Sequence, residues 1–241
     1  MIRADRRVLV FSAHAADFCS RAGGTIARFV DAGAQVQIYD MTYGEKCESP
    51  GAYAHGQQPG HEEVKARRRR EIQAAARVLG AQADCFDFGD CPLVIDDARR
   101  FRVLDAVRAF APDLVLTHWH NDFLHPDHAE TSRAVLWACR YCNAPGRRTE
   151  HAPCARPEIM YFECVLGAAP ACGFVPQVYV DVSGVFERKL EALRQLASQP
   201  QLPRGYEKLA RYRGLEASTT AGMACEFAEG FVRVGTEAVG Q

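Results

Sequence analysis

The chain has 241 residues, of which 48% are hydrophobic and 24% are charged, so it is long enough to bury a substantial core. Its 29 basic and 30 acidic residues give a net charge of -1, which provides no electrostatic basis for binding nucleic acid or an anionic membrane. No segment approaches the roughly 18 apolar residues of a membrane span, and the apolar run near the N-terminus is too short for a signal peptide. We therefore expect one cytoplasmic domain over residues 1–241, with its 10 cysteines reduced.

Strand and helix patterns alternate along the first 120 residues. In chain order they predict a strand at 8–12, a helix at 23–32, a strand at 35–41, a helix at 61–79, a strand at 85–88, a helix at 99–110 and a strand at 113–117. A helix at 129–142, a loop at 143–157, strands at 159–163 and 178–182 and a helix at 185–196 follow. Gly205 and Gly214 are expected to interrupt the chain before a last helix at 223–234. This order predicts an α/β fold with a three-layer, doubly wound, mostly parallel, Rossmann-like sheet.

Two histidine-rich segments each follow a predicted strand. His14 and Asp17 follow the strand at 8–12, whereas His125, Asp127 and His128 follow the strand at 113–117. Because parallel strands end at the same sheet edge, His14, Asp17 and His128 can converge. Two imidazoles, one carboxylate and a position left to water are typical of catalytic zinc, although iron, cobalt and manganese accept the same ligands. The sequence thus predicts a divalent metal site, with Asp127 beside it to orient a ligand or a catalytic histidine.

At these segments the chain resembles the PIG-L/LmbE-type family of zinc-dependent N-acetyl-sugar deacetylases. The shared motifs are an AHAADF loop at 13–18, a glycine pair at 23–24, a TYGE loop at 42–45 and an HPDH motif at 125–128. Further matching positions are Arg69, Glu71, Lys189, Ser198, Gln199 and a closing EFAEGF segment. The resemblance covers nearly the whole chain and implies zinc held by His14, Asp17 and His128.

The first loop departs from the deacetylases at two positions. They carry an aspartate general base where this chain has Ala16, and a glutamate where it has Phe18. An alanine cannot accept a proton, and acid-base catalysis contributes about 10² to 10⁴ in rate. The ADF sequence, the YGEKCES segment at 43–49 and the FDFGD segment at 86–90 are instead similar to the 4-oxalomesaconate hydratase subgroup, which adds water across a carbon-carbon double bond in aromatic-acid degradation. This similarity implies a hydro-lyase.

Hydration of an unsaturated keto acid assigns roles to further residues. It requires an activated water, an acceptor for the water proton and stabilisation of a developing enolate. We expect Glu48, on the loop after the second strand, to accept the proton. His125, or with weaker support His120, is expected to protonate the carbanion or stabilise the enolate, with Asp127 orienting a histidine.

A substrate with several carboxylates also needs cations near the metal. Arg21 lies one turn beyond Asp17, and Tyr43 lies in the loop after the second strand. The remaining candidate clamps are Arg204, Arg211 and Arg213 in the C-terminal region. We expect residues 200–241 to complete the pocket or an oligomer interface, and the family resemblance implies a homo-oligomer.

Two other functions stay open. One is a zinc amidase that deacetylates an N-acetyl sugar or thiol conjugate with a substitute base, and the other is a metal-binding protein without catalytic activity. Cys164 and Val165 stand where the hydratase pattern has a Pro-His pair, whereas His125 restores a histidine of the deacetylase motif. The exact substrate is therefore open.

Overall fold

The computed structural model describes residues 1–235 and contains a seven-stranded sheet in the order β3-β2-β1-β4-β5-β7-β6. The strands are β1 (Arg7–Ser12), β2 (Gln35–Asp40), β3 (Gln82–Cys85), β4 (Leu114–His118), β5 (Glu158–Phe162), β6 (Val178–Asp181) and β7 (Ala228–Arg233). The helices are α1 (Asp17–Asp31), α2 (His61–Leu79), α3 (Asp97–Phe110), α4 (Pro126–Tyr141), α5 (Phe186–Arg194) and α6 (Leu202–Ala221). Strands β1 to β5 are parallel, whereas β7 runs antiparallel to both β5 and β6. The predicted doubly wound, mostly parallel fold is confirmed.

Strand β1 lies at the centre and sends alternate side chains to opposite faces of the sheet. Val8 and Val10 belong to the core under α1, α2, α5 and α6, whereas Leu9 and Phe11 pack in the core under α3 and α4. Such burial on both faces explains the continuous apolar run of this strand. The chain passes from β1 to β2 on one side, and β4 pairs with the other side. The loops after β1 and β4 therefore diverge over the carboxyl edge, where doubly wound folds bind ligands.

Local signals account for most helix boundaries. Gly80 ends α2 in a left-handed conformation with a φ of 81°, which glycine adopts without steric cost. Asp96 begins α3 by accepting a hydrogen bond from the Arg99 backbone nitrogen at 2.8 Å. Pro126 occupies the first turn of α4, where its missing N–H is not needed. Helix α1 begins at Asp17, six residues before the predicted start, and β3 lies three residues earlier than predicted.

The C-terminal prediction was wrong in two respects. Gly205 and Gly214 do not interrupt the chain but lie inside the continuous helix α6. Each glycine lets another segment pack closely against the helix. A Cβ on Gly205 would lie 2.7 Å from Leu166 Cδ2, and one on Gly214 would lie 2.5 Å from the Glu226 carbonyl oxygen. The predicted helix at 223–234 contains strand β7 instead, which pairs with β5 and β6. Residues 236–241 of the predicted C-terminal segment lie outside the described residues.

A buried ion pair ties β7 to the helical layer. Lys189 Nζ donates to Glu229 Oε1 at 2.6 Å, and both side chains are at most 3% exposed. The same carboxylate accepts hydrogen bonds from the backbone nitrogens of Gly24 and Thr25 in α1. Glu229 thus joins β7, α5 and α1. Among residues 1–235, no helix has both the length and the apolar character needed to cross a membrane.

Candidate metal and catalytic site

Four buried side chains from the loops after β1 and β4 meet at the carboxyl edge. His14 lies in the loop after β1 and Asp17 begins α1, whereas His118 ends β4 and His128 lies in the first turn of α4. The most exposed of the four, Asp17, shows only 5% of its surface. The structure therefore brings the three predicted metal ligands together and adds His118.

The predicted ligands fall into two overlapping groups of described residues that could hold a metal ion: His14 with His125 and His128, and Asp17 with His118 and His128. Asp17 Oδ2 lies 3.4 Å from His14 Nδ1 and 3.6 Å from His128 Nε2. Among the described residues, His14 Nδ1 is buried without a hydrogen-bond partner. The opposite ring nitrogens contact carboxylates: His14 Nε2 lies 3.2 Å from Asp127, and His128 Nδ1 lies 2.7 Å from Asp122. A histidine with one nitrogen held by a carboxylate and the other facing a second ligand is typical of metal sites.

Asp127 has the orienting position that the sequence suggested, whereas His118 and Asp122 were not assigned from the sequence. Besides contacting His14, Asp127 accepts hydrogen bonds from the backbone nitrogens of Cys91 and Leu93 at 3.0 and 2.9 Å. The His118 ring stacks on His128 with centroids 4.0 Å apart. His118 and Asp122 both lie in the second histidine-rich segment, so composition pointed to the region, but only the fold shows their contacts.

The charges of this cluster favour ionised carboxylates. Burial opposes the charged form of His14, but the neighbouring carboxylates of Asp127 and Asp17 raise its pKa to about 10. Burial also disfavours the carboxylate of Asp127, yet hydrogen bonds, the one with His14 foremost, lower its pKa to about 2. Against the same effect of burial, the positive charge of Arg21 helps to hold the pKa of Asp17 well below its ordinary value. The cluster thus presents anionic oxygens to a cation.

Glu48 and His125 form a hydrogen-bonded pair beside the metal ligands. His125 Nε2 lies 2.8 Å from Glu48 Oε1, and the His125 ring stacks on His128 with centroids 4.2 Å apart. Glu48 Oε2 accepts a second hydrogen bond from Gln199 Nε2, also at 2.8 Å. Burial alone would raise the pKa of Glu48, but the hydrogen bond with His125 and the nearby charge of His14 together lower the pKa. Glu48 is therefore a carboxylate at neutral pH.

A disulfide joins two loops that border this site, contrary to the expectation that all cysteines are reduced. It links Cys47, next to Glu48, with Cys91, whose backbone nitrogen donates to Asp127. Asp90 holds the same two loops together by accepting hydrogen bonds from the backbone nitrogens of Lys46 and Cys47. Spacing could not predict the pair, because the two cysteines are 44 residues apart and meet only through the folds of their loops.

Two of the candidate substrate-binding residues are engaged within the protein. Arg21 donates to Asp17 Oδ1 at 2.5 Å and to the Glu163 carbonyl oxygen at 3.0 Å. The Tyr43 hydroxyl accepts a hydrogen bond from Arg69 Nε at 2.9 Å, and the Tyr43 side chain is buried. In this structure Arg21 therefore holds a predicted metal ligand, and Tyr43 holds Arg69.

The three C-terminal arginines do not form one cluster of cations. Arg213 is buried and makes a two-pronged contact with Glu163, with distances of 2.6 and 2.9 Å. Arg211 is exposed and pairs with Glu226 at 2.6 Å, and Arg204 is exposed as well. His120 is also exposed, and its ring packs against Trp119.

Comparisons with known proteins identify the relatives of this chain. Residues 9–139 match the family model described as PIG-L, GlcNAc-PI de-N-acetylase. The chain is 32% identical to 4-oxalmesaconate hydratase of Pseudomonas putida KT2440, over 90% of this chain and 83% of the relative. It is 29% identical to diacetylchitobiose deacetylase of Thermococcus kodakarensis, over 80% of this chain and 70% of the relative.

A solved structure extends the similarity to the whole fold. The crystal structure of GalB, the 4-carboxy-2-hydroxymuconate hydratase from Pseudomonas putida KT2440, matches with a TM-score of 0.90 and 31% identity. The match covers 100% of this chain and 99% of GalB. On the family model and these alignments, the chain belongs to the PIG-L family.

Proposed function

We propose that this protein is a zinc-dependent hydratase that adds water across the carbon-carbon double bond of an unsaturated, carboxylated keto acid of the 4-oxalomesaconate type. The observation that carries the proposal is the ionised Glu48, paired with His125 beside the predicted metal ligands, in a site where Ala16 replaces the deacetylase base. The similarity to two proteins named as hydratases supports the same reaction class. On this proposal the enzyme is a hydro-lyase of aromatic-acid degradation.

The metal ligands in this proposal are His14, Asp17 and His128. Zinc bound there would supply Lewis-acid polarisation of a water or substrate oxygen. His14 and His128 are already oriented by Asp127 and Asp122, which supports them as ligands.

Glu48 and His125 divide the proton transfers. Glu48 accepts a proton from the attacking water while the water oxygen forms its bond to one alkene carbon. His125 protonates the other alkene carbon and recovers a proton from Glu48 through their hydrogen bond, or it stabilises the enolate that develops while Glu48 returns the water proton to that carbon; in both cases one water is added overall. Both Glu48 oxygens already accept one hydrogen bond, and each retains a lone pair for water.

Substrate recognition is assigned to the candidate arginines according to their exposure. Arg204 and Arg211 are the exposed candidates for binding substrate carboxylates, whereas Arg21 and Arg213 act through Asp17 and Glu163. For Tyr43 to bind substrate, its hydroxyl must give up the hydrogen bond from Arg69. The predictions of a cytoplasmic homo-oligomer belong to this proposal.

Deacetylation is the second candidate, and it is favoured by the similarity to diacetylchitobiose deacetylase. The zinc-loaded protein is supplied with 4-oxalomesaconate, followed by the loss of conjugated absorbance, and separately with N-acetylglucosamine conjugates, followed by acetate release. Loss of absorbance without acetate supports the hydratase, whereas acetate release would overturn it. Stoichiometric zinc with neither activity would instead favour a protein without catalytic activity.

Replacing Glu48 tests the mechanism within the hydratase. Glu48→Gln should lower kcat by about 10² to 10⁴ because it removes the proton acceptor, while zinc content stays at the wild-type level. Glu62→Gln is the matched control, since the Glu62 side chain is 88% exposed on α2. Near-normal turnover of Glu48→Gln would remove Glu48 from the mechanism.

A further inference from the structure

A series of hydrogen bonds leads from the buried Arg68 in α2 to the partly buried Glu48. Gln199 Nε2 donates to Glu48 Oε2 at 2.8 Å, and Gln199 Oε1 accepts a hydrogen bond from Arg68 Nη2 at 2.8 Å. Arg68 is fully buried and Gln199 is 4% exposed. Gln199 thus connects a buried cation in α2 with the carboxylate that faces His125.

The surroundings of Arg68 fix its guanidinium in one orientation. Arg68 Nη1 donates to Glu71 Oε2 at 2.8 Å, and Arg68 Nε donates to the Tyr43 carbonyl oxygen at 3.1 Å. Glu71 is held in turn, because its Oε1 accepts hydrogen bonds from the backbone nitrogen and the hydroxyl of Ser198 at 3.0 and 2.9 Å. Every nitrogen of Arg68 therefore has a partner at a defined position.

The donors and acceptors on either side of Gln199 allow only one orientation of its side-chain amide. A guanidinium only donates hydrogen bonds and an ionised carboxylate only accepts them. The amide oxygen must therefore face Arg68, and the amide NH₂ must face Glu48. No other uncharged side chain of this length both accepts from a guanidinium and donates to a carboxylate, so the match is specific to glutamine at position 199.

We propose that Gln199 is the positioning residue for Glu48: it holds Oε2 so that Oε1 stays directed at His125 and the reacting water. This inference rests on the proposed function, because it assigns Gln199 a part in the reaction that Glu48 serves. Without the amide, the Glu48 side chain would rotate among its other rotamers, and a misplacement of about 1 Å can cost about 10² in rate.

The loop that carries Glu48 has anchors that do not depend on Gln199. The Gly51 backbone nitrogen donates to the Ser198 carbonyl oxygen at 2.8 Å, and the Ser49 hydroxyl donates to the Gly44 carbonyl oxygen at 2.8 Å. The disulfide of Cys47 adds a covalent anchor. A variant at position 199 is therefore expected to fold with its loop in place, which separates loss of positioning from loss of structure.

The first test compares Gln199→Leu with Gln201→Leu, an exposed position two residues away. Gln199→Leu should lower kcat by about 10- to 100-fold, with KM within about threefold of wild type and zinc content unchanged. Gln201→Leu should match wild type. In a Glu48→Gln background, Gln199→Leu should have almost no further effect, because the group that it positions is already gone. Equal losses with and without Glu48 would show a general structural role and overturn the proposal.

The second test uses Gln199→Glu, which preserves shape but places a carboxylate against Glu48. Two adjacent carboxylates share a proton, so the acid limb of the kcat-pH profile should move to higher pH by at least about one unit. A uniform loss of kcat at every pH, with no shift of the limb, would contradict positioning through this hydrogen bond.

A crystal structure of Gln199→Leu supplies a readout that does not depend on activity. The Glu48 carboxylate should leave its 2.8 Å contact with His125, and an unmoved Glu48 would overturn the inference. A wild-type enzyme that binds zinc but hydrates no keto acid would refute the proposed function instead. The two failures are therefore distinguishable.

Discussion

Replacing Asp122 by asparagine should weaken zinc binding by about 10- to 100-fold while the fold is retained. Asp122 is fully buried, and its Oδ2 lies 2.7 Å from His128 Nδ1 and accepts a hydrogen bond from the Val165 backbone nitrogen at 2.9 Å. Asparagine has the same shape but offers His128 a neutral carbonyl, which makes the imidazole a poorer ligand. A hydrogen bond to a charged group contributes about 1.5 to 3 kcal/mol and a neutral one about 0.5 to 1.5, and a loss of 1.4 kcal/mol is tenfold in affinity.

The assay is a competition titration of zinc against a chromophoric chelator at fixed pH and ionic strength. Asp97→Asn is the control, because the Asp97 side chain is 88% exposed on α3 and pairs with Arg100. The control should bind zinc as wild type does. A zinc affinity of Asp122→Asn within threefold of wild type would refute the orienting role that its contact with His128 suggests.

Two further predictions concern the buried charges. Lys189→Met should destabilise the fold by about 3 to 5 kcal/mol, because it leaves the buried Glu229 carboxylate without its cation; chemical denaturation should show this, with the exposed Lys208→Met unchanged. Because the pKa of His14 is raised to about 10 in the metal-free site, zinc must displace its proton at pH 7.5, whereas the lowered pKa of His128 leaves that ligand neutral. Calorimetry in two buffers of different ionisation enthalpy should report release of about one proton, and apparent affinity should weaken about tenfold per unit as pH falls; no proton release would contradict this assignment.

Sequence patterns predicted the central sheet better than the C-terminal region. Strand β1 is recognisable because its apolar run is buried on both faces, whereas its register with β2 is known only from the structure. The segment at 223–234 lacks such a run, so its pairing with β5 and β6 appears only in three dimensions. Gly214 was misread as a break because its purpose, contact with the Glu226 backbone, depends on a distant segment.

The candidate site likewise has a part that the sequence predicts and a part that only the structure reveals. His14, Asp17 and His128 could be predicted to converge because they follow adjacent parallel strands, which fixes their common edge. The contact of Gln199 with Glu48 spans 151 residues and depends on how the loop after α5 meets the loop after β2. Residue type and spacing contain no signal for such a contact, and the family resemblance marked position 199 without giving its partner.

The pairing of β1 with β4 also makes metal binding depend on folding. Asp17 and His128 belong to the first and fourth βα units, and only the hydrogen bonds between the two strands bring their loops together. An unfolded chain has no such site, so zinc bound as proposed would favour the native state, by about 4 kcal/mol at a free concentration of 1,000 times Kd. Zinc supply would then affect the stability of the folded enzyme as well as its turnover, and chelation would lower both together.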